Sequence, residues 1–193
     1  MKTEALYRQK IIEHGFGAWC AAVHLARKKD GTWRYCIDYC KLNAITILDA
    51  YPVPNIEMMF NELKGARFFS KIDLTDGYWH IPIREKDREK TGFATRQGVW
   101  QWRCMLMGLK NSSFTFQRVM QNVLRKHLWN PCMVYIDDII IYNKMLEEHM
   151  EHVQSVLQTL ADAKFDAKIS KCKFLASKID FLGHIITGLK LTV

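Results

Sequence analysis

The stretch VYIDDIIIYNK (134–144) sets two apolar runs on either side of an acidic pair. Met133 to Ile136 precede Asp137 and Asp138, and Ile139 to Tyr142 follow them. The flanks read as two strands of a buried hairpin, while the turn between them lacks the glycine that tight hairpins prefer. Two like charges held side by side at the rim of an apolar sheet repel one another. They also lose hydration, and together these effects raise a carboxyl pKa. A divalent cation removes the difficulty by supplying positive charge. Hard oxygen ligands of this kind suit Mg²⁺, which binds through one or two carboxylates plus substrate phosphates. An aspartate pair on an ordinary surface turn is the plainer reading, and the pair alone does not choose between them.

Upstream, ARFFSKIDL (66–74) is rich in aromatic and β-branched residues and reads as a strand, with Asp73 at its end. If that strand lies beside the hairpin, Asp73 meets Asp137. Three carboxylates could then hold two metal ions about 3.5–4 Å apart, the arrangement that clamps attacking and leaving oxygens in phosphoryl transfer. Around this kernel, Tyr51-Pro-Val-Pro54 reads as an extended connector and Ile56 to Leu63 as a short helix ended by Gly65. A short strand is expected near His80–Ile83, a solvated loop or helical turn at 84–90, and a hairpin around Gln97-Gly98. Phe116, Val119, Met120, Val123, Leu124 and Leu128 recur at helical spacing behind an Asn111 or Ser112 cap. A second amphipathic helix spans about 145–163, with Met150, Val153, Leu157 and Leu160 on one face. Each helix has one apolar stripe, so both should cover one face of an antiparallel sheet, an α+β architecture. His149 and His152 read as part of an exposed charged face, and His127 as a cation favoured by a helix C-terminus. Trp33, Trp79, Trp100 and Trp102 could stack on bases, with core packing the better reading for at least two of them.

Composition narrows the class. The 193 residues are 49% hydrophobic and 25% charged, which excludes a mostly disordered chain. A net charge of +8 favours polyanionic partners. No run reaches the roughly 18 apolar residues of a membrane span, and the N-terminus has no apolar secretory core. The six cysteines form no CxxC pair. They read as reduced thiols of an intracellular protein, cytoplasmic or nuclear unresolved.

Seven ordered segments carry a resemblance: RKKDGTWRYCIDYCKLNAIT (27–46), the YPVP connector, FFSKIDLTDGYWHIPI (68–83), KTGFATRQGVWQWRCMLMGL (90–109), FTFQRVMQNVL (114–124), VYIDDIIIYNK (134–144) and KCKFLASKIDFLGHII (171–186). Together they resemble the reverse transcriptase domain of gypsy-type LTR retrotransposons and, more distantly, retroviral reverse transcriptases. The resemblance implies an RNA-directed DNA polymerase, a nucleotidyltransferase with a right-hand fold. Fingers would be 1–50 and 82–111, palm 51–81 and 112–193, with no thumb, RNase H or integrase. It implies a primed RNA or DNA template and dNTPs as partners, no membrane, and two Mg²⁺ ions with Mn²⁺ as a possible substitute. Asp73, Asp137 and Asp138 would be catalytic and metal-binding, and Lys171 a general acid, with Lys173 as the alternative. Lys28, Arg34, Leu74, Thr75, Asp76, Gly77, Tyr78 and Met107 would contact the nucleotide, the backbone of 74–77 approaching its phosphates. Tyr78 would stack under the sugar. Phe181, Leu182, Gly183 and His184 would hold the primer end.

The chain departs from the family pattern in several places. Leu106-Met107-Gly108 replaces Pro-Phe-Gly, exchanging an aromatic for a flexible thioether. Asn111-Ser112-Ser113 replaces Asn-Ala-Pro, Cys40 stands where an arginine is usual, and Ala21-Ala22 where Ser-Pro is. These changes leave the three aspartates intact and bear on nucleotide affinity and fidelity. They motivate an alternative, a catalytically weak or inactive nucleic-acid-binding remnant. A third reading, another palm-fold nucleotidyltransferase such as a nucleotide cyclase, fits segment 27–46 poorly, since that segment touches a template in the resembling family.

Overall fold

The computed structural model describes residues 2–27, 31, 33–187 and 190–192. In chain order its elements are α1 (Lys2–Arg8), β1 (Ile12–His14), β2 (Ala22–Arg27), β3 (Trp33–Asp38), α2 (Cys40–Ile45), α3 (Ile56–Glu62), β4 (Phe68–Ile72), α4 (Glu85–Arg88), β5 (Phe93–Thr95), β6 (Gly98–Trp102), α5 (Ser112–Val123), β7 (Cys132–Tyr135), β8 (Asp138–Asn143), α6 (Leu146–Asp162), β9 (Lys173–Ala176), β10 (Lys178–Phe181), β11 (His184–Thr187) and β12 (Lys190–Thr192). They form two compact units, 1–49 with 78–112, and 50–77 with 113–193.

In the first unit, β1 and β5 flank β6, and β2 and β3 make a separate antiparallel hairpin. Leu6, Ile12, Tyr39, Phe93, Trp100, Trp102 and Leu106 are buried together. Trp100 and Trp102 are therefore core residues, whereas Trp33 is 62% exposed. Residues 78–81 belong to this unit and not with 51–77. Trp79, in a 3₁₀ turn over Gly77–His80, packs on Trp102 at 6.4 Å between ring centroids. The strand expected near His80–Ile83 is reduced to a single bridge between Pro82 and Cys104. Pro82 has no amide to donate to a ladder.

The second unit is built on a four-stranded antiparallel sheet in the order β7-β8-β4-β9. Side chains alternate across it. One face presents Phe69, Met133 and Ile140, which pack with Met59, Phe60 and Leu63 from α3 and its end, and with Ile179, Phe181 and Ile186 from β10 and β11. Asn55 caps α3 by accepting from the amides of Glu57 and Met58 at 2.8 and 3.2 Å. The other face presents Ser70, Ile139 and Ile141, on which α6 lies.

The buried stripe of α6 differs from the expectation. His149, Val156 and Leu160 face inward, while Met150 is 54% exposed. Met150, Val153 and Leu157 line an open groove with Phe174 and Leu175. His149 is not on an exposed charged face. It is fully buried, its Nε2 is 2.8 Å from Ser70 Oγ, and its Nδ1 is 3.0 Å from Asn143 Oδ1. The periodicity of Met and Leu placed the helix but not its rotation, because a hydrogen-bonded imidazole can take an inward position that hydropathy gives to an apolar residue. His127 is likewise buried, 3.0 Å from Thr159 Oγ1. Burial pushes its pKa down, with Lys126 and His152 adding to the effect, so it is not the dipole-favoured cation expected.

A pH dependence follows. Burial, then the charge of His152, holds the His149 pKa below its ordinary 6.5. The unfolded chain therefore takes up protons that the folded chain refuses. Stability is full above 6.5 and is lost as pH falls from there through the lowered folded values of His149 and His127. The urea midpoint should drop between pH 7.5 and 5.5, and His149→Gln should shrink that drop. A pH-independent midpoint would contradict this assignment.

Candidate active site

The β7–β8 hairpin pairs Tyr135 with Asp138 and leaves Ile136 and Asp137 as a two-residue turn. Ile136 has φ 56°, a left-handed conformation that a β-branched residue resists, in place of the expected glycine. Gln117 of α5 holds it there. Its Nε2 donates to Val134 O at 3.0 Å and its Oε1 accepts from the Ile136 amide at 2.5 Å, with the Gln117 side chain fully buried. The turn thus projects Asp137 outward while β8 starts on Asp138.

β4 runs antiparallel to β8 with Ile72 opposite Ile139. One step further brings Asp73 level with Asp138 on the same face of the sheet. The Asp137 carboxyl is pushed up from its ordinary pKa, first by loss of hydration, then by repulsion from Asp138 and Asp73, with Lys71 and a backbone hydrogen bond opposing. Two lysines stand among the three carboxylates. Lys71 Nζ is 2.6 Å from Asp138 Oδ1, and Lys171 Nζ is 3.7 Å from Asp73 Oδ2. The Asp73 backbone is clamped from the 166–172 segment. Lys168 N donates to Asp73 O at 2.8 Å, the Asp73 amide donates to Cys172 Sγ at 3.4 Å, and the thiol lies 3.7 Å from Asp73 O.

The other expected site residues fall as follows. Thr75 N donates to Asp166 O at 2.8 Å, which ties this segment to the chain ahead of Lys168. Leu74 bridges to Ala167, and Asp76 has φ 47°. A Cβ on Gly77 would stand 2.9 Å from Phe116, so the chain needs glycine there. Tyr78 is 8% exposed and Met107 66% exposed, both in the first unit. Arg34 lies within β3. Lys28 lies outside the described residues, as does the side chain of Arg34. Leu182 and Gly183, with φ 51° and 77°, turn β10 into β11. Phe181 is fully buried and holds this hairpin to the core. The His184 ring packs tilted against Phe60 at 4.8 Å between centroids, and its Nδ1 lies 3.0 Å from Leu182 O.

The profile of the family described as "Reverse transcriptase (RNA-dependent DNA polymerase)" matches residues 26–186. The chain belongs to the reverse transcriptase family. It is 38% identical over 187 residues to the retrovirus-related Pol polyprotein from transposon 297 of Drosophila melanogaster, covering 97% of this chain and 18% of that protein. Against the polyprotein from transposon gypsy of the same organism it is 39% identical over 154 residues, 80% and 15% of the two chains. The transposon Tf2-3 polyprotein of Schizosaccharomyces pombe is 34% identical over 177 residues, 92% and 13%. This reverse transcriptase domain therefore spans under a fifth of the curated relatives it matches. Among solved structures, the foamy viral protease-reverse transcriptase in complex with RNA/DNA hybrid superposes with a TM-score of 0.87 at 23% identity, covering 99% of this chain and 26% of that one. The same protein's dRH form with double-stranded DNA gives 0.87 at 24%, covering 95% and 32%. At these identities the likeness establishes the fold, the fingers and palm of a right-hand polymerase, an α+β architecture with antiparallel sheets.

Three residues that shape the candidate site escaped the sequence reading. Gln117 lies inside a quoted segment but looks like any helix polar residue. Cys172 sits between two lysines. Lys71 is two positions before Asp73, and alternation alone would have put it on the same face. Among the described residues no three His, Cys, Asp or Glu side chains are assembled to hold an ion. The donor chemistry nonetheless fits a hard divalent cation, because the Asp137 carboxyl is crowded by two further carboxylates.

Proposed function

We propose that this domain is an RNA-directed DNA polymerase joining a dNTP to a primer 3′-hydroxyl on an RNA or DNA template. The observation that carries the reading is the convergence of Asp73 on the Asp137-Asp138 turn at one end of one sheet, in a chain of this family. The primer 3′-hydroxyl gives up its proton to solvent as O3′ bonds to the α-phosphorus, the bond from that phosphorus to the bridging oxygen breaks, and pyrophosphate leaves. Asp73 and Asp137, with Asp138, would hold two Mg²⁺ ions, Mn²⁺ substituting. When bound, such ions neutralise charge on the reacting phosphate and the leaving oxygen. Lys171, 3.7 Å from Asp73, has the ammonium proton to give to the pyrophosphate. The nucleotide contacts assigned to Lys28, Arg34, Leu74, Thr75, Asp76, Gly77, Tyr78 and Met107, and the primer contact of Phe181, Leu182, Gly183 and His184, belong to the same proposal. So do the fingers and palm roles of the two units and an intracellular setting, with which six free cysteines are consistent.

Primer extension by the 193-residue chain on a primed RNA template, with Mg²⁺ or Mn²⁺, tests it. Stepwise incorporation is expected, together with binding whose log affinity falls linearly with log salt. A second reading, a binding remnant without catalysis, draws on Met107, which is 66% exposed where the family pattern carries an aromatic. Salt-sensitive binding of the same duplex with no incorporation under either ion selects that reading.

A further inference from the structure

Lys71 lies on β4 and Asp73 one residue past its end, two positions apart, so that they share a face of the sheet. Lys71 is paired with Ile140, which makes Asp138 its diagonal neighbour across the strands, a distance that a long side chain spans. Its ammonium meets Asp138 Oδ1 at 2.6 Å, with the two side chains only 24% and 27% exposed. The Lys171–Asp73 contact is longer, 3.7 Å, and more exposed, 59% and 36%. Lys71 follows fully buried Phe69 on this face and lies beside fully buried Ile140, so its stem rests on apolar surface and its charged end has one direction to go. A half-buried pair of this kind is screened less than a surface pair. The third carboxylate is thereby turned toward an ammonium.

We infer that Lys71 is a positioning residue of the acidic cluster: its ammonium sets where the Asp138 carboxylate stands and competes with a divalent ion for that carboxylate. The inference rests on the reading of Asp73 and Asp137 as ion-holding residues. In the absence of an ion, Lys71 offsets part of the repulsion among the three aspartates, so the turn keeps its shape. Asp73 and Asp137 would be the carboxylates open to an ion, while Lys71 would hold Asp138 to β4 against it.

The test is Mn²⁺ binding, read from the free-ion signal in electron paramagnetic resonance, with unfolding temperature recorded in EDTA and in saturating Mn²⁺. Wild type is compared with Lys71→Met, Lys71→Gln, Lys71→Arg and Asp137→Asn. Removing the competing charge should tighten Mn²⁺ binding by roughly five- to tenfold in Lys71→Met. It should also lower the unfolding temperature in EDTA and enlarge the rise that Mn²⁺ produces. Lys71→Arg should stay within about twofold of wild type, since charge is kept. Lys71→Gln, neutral but polar, carries the same expectation as Lys71→Met should the apolar variant fold poorly. Unchanged or weaker Mn²⁺ binding in both neutral variants, with Asp137→Asn losing most of its binding, overturns the role of Lys71 alone. Undiminished binding in Asp137→Asn overturns the ion-site reading, and the inference with it.

Discussion

Asp137→Asn should lower primer extension by about 10³-fold or more while leaving the fold intact. The amide keeps the size of the side chain and its place in the two-residue turn between Tyr135 and Asp138. What it removes is one negative charge, the one already pushed toward protonation by lost hydration and by repulsion from Asp138 and Asp73. A charge held against such opposition destabilises the protein, so the unfolding temperature in EDTA should stay level or rise. Activity and stability thus move in opposite directions, which a merely structural aspartate would not produce. Asp73→Asn should match the activity loss and additionally release Lys171 from its 3.7 Å contact. Steady-state incorporation on a primed RNA template, beside thermal unfolding, measures both. Extension within tenfold of wild type in Asp137→Asn would remove this residue from the chemistry.

Gln117→Leu should cost about 2–4 kcal/mol of stability and more activity than that loss explains. The side chain satisfies the Ile136 amide and the Val134 carbonyl at once, from a position with no exposure. Leucine fits the volume but orphans both backbone groups, at roughly 1–3 kcal/mol each. It also frees Ile136 from φ 56°, which costs of order 1–3 kcal/mol to hold in a β-branched residue. A relaxed turn moves Asp137 relative to Asp73, and misplacement of about 1 Å in a catalytic group can cost about 10²-fold. Urea unfolding gives the first quantity, and extension measured well below the unfolding midpoint gives the second. An unchanged midpoint would show that the hairpin does not depend on this clamp.

Particular residues show how far pattern reading reached. Asp73 and the Asp137-Asp138 pair were legible because each ends or interrupts an apolar run, and a strand that ends on a charge ends at a sheet rim. Helix α3 was legible from its own punctuation, the Pro-containing connector before it and Gly65 after it, since breakers act locally; its Asn55 cap came from the structure. His149 was misread because hydropathy scales count imidazole as polar, whereas a buried Ser70 hydroxyl and Asn143 amide satisfy it from strands 79 and 6 residues away. The 78–81 segment groups with the first unit, where Trp79 finds its packing partner, Trp102, 23 residues downstream, beyond any local signal.

By itself the chain of residues determined the family, the alternation of the strands, and the acidic groups that end them. These are properties of type and spacing, and they persist whatever the chain packs against. Only tertiary structure decided which charges are compensated and by what. Lys71 reaches Asp138 because β4 and β8 pair in one register and not another, and a slip of one residue would send that lysine to the opposite face. The same holds for Gln117 on the Ile136 turn and for Cys172 against the Asp73 backbone. Each joins groups remote along the chain, and their energies depend on distances of a few ångströms that spacing in sequence does not encode.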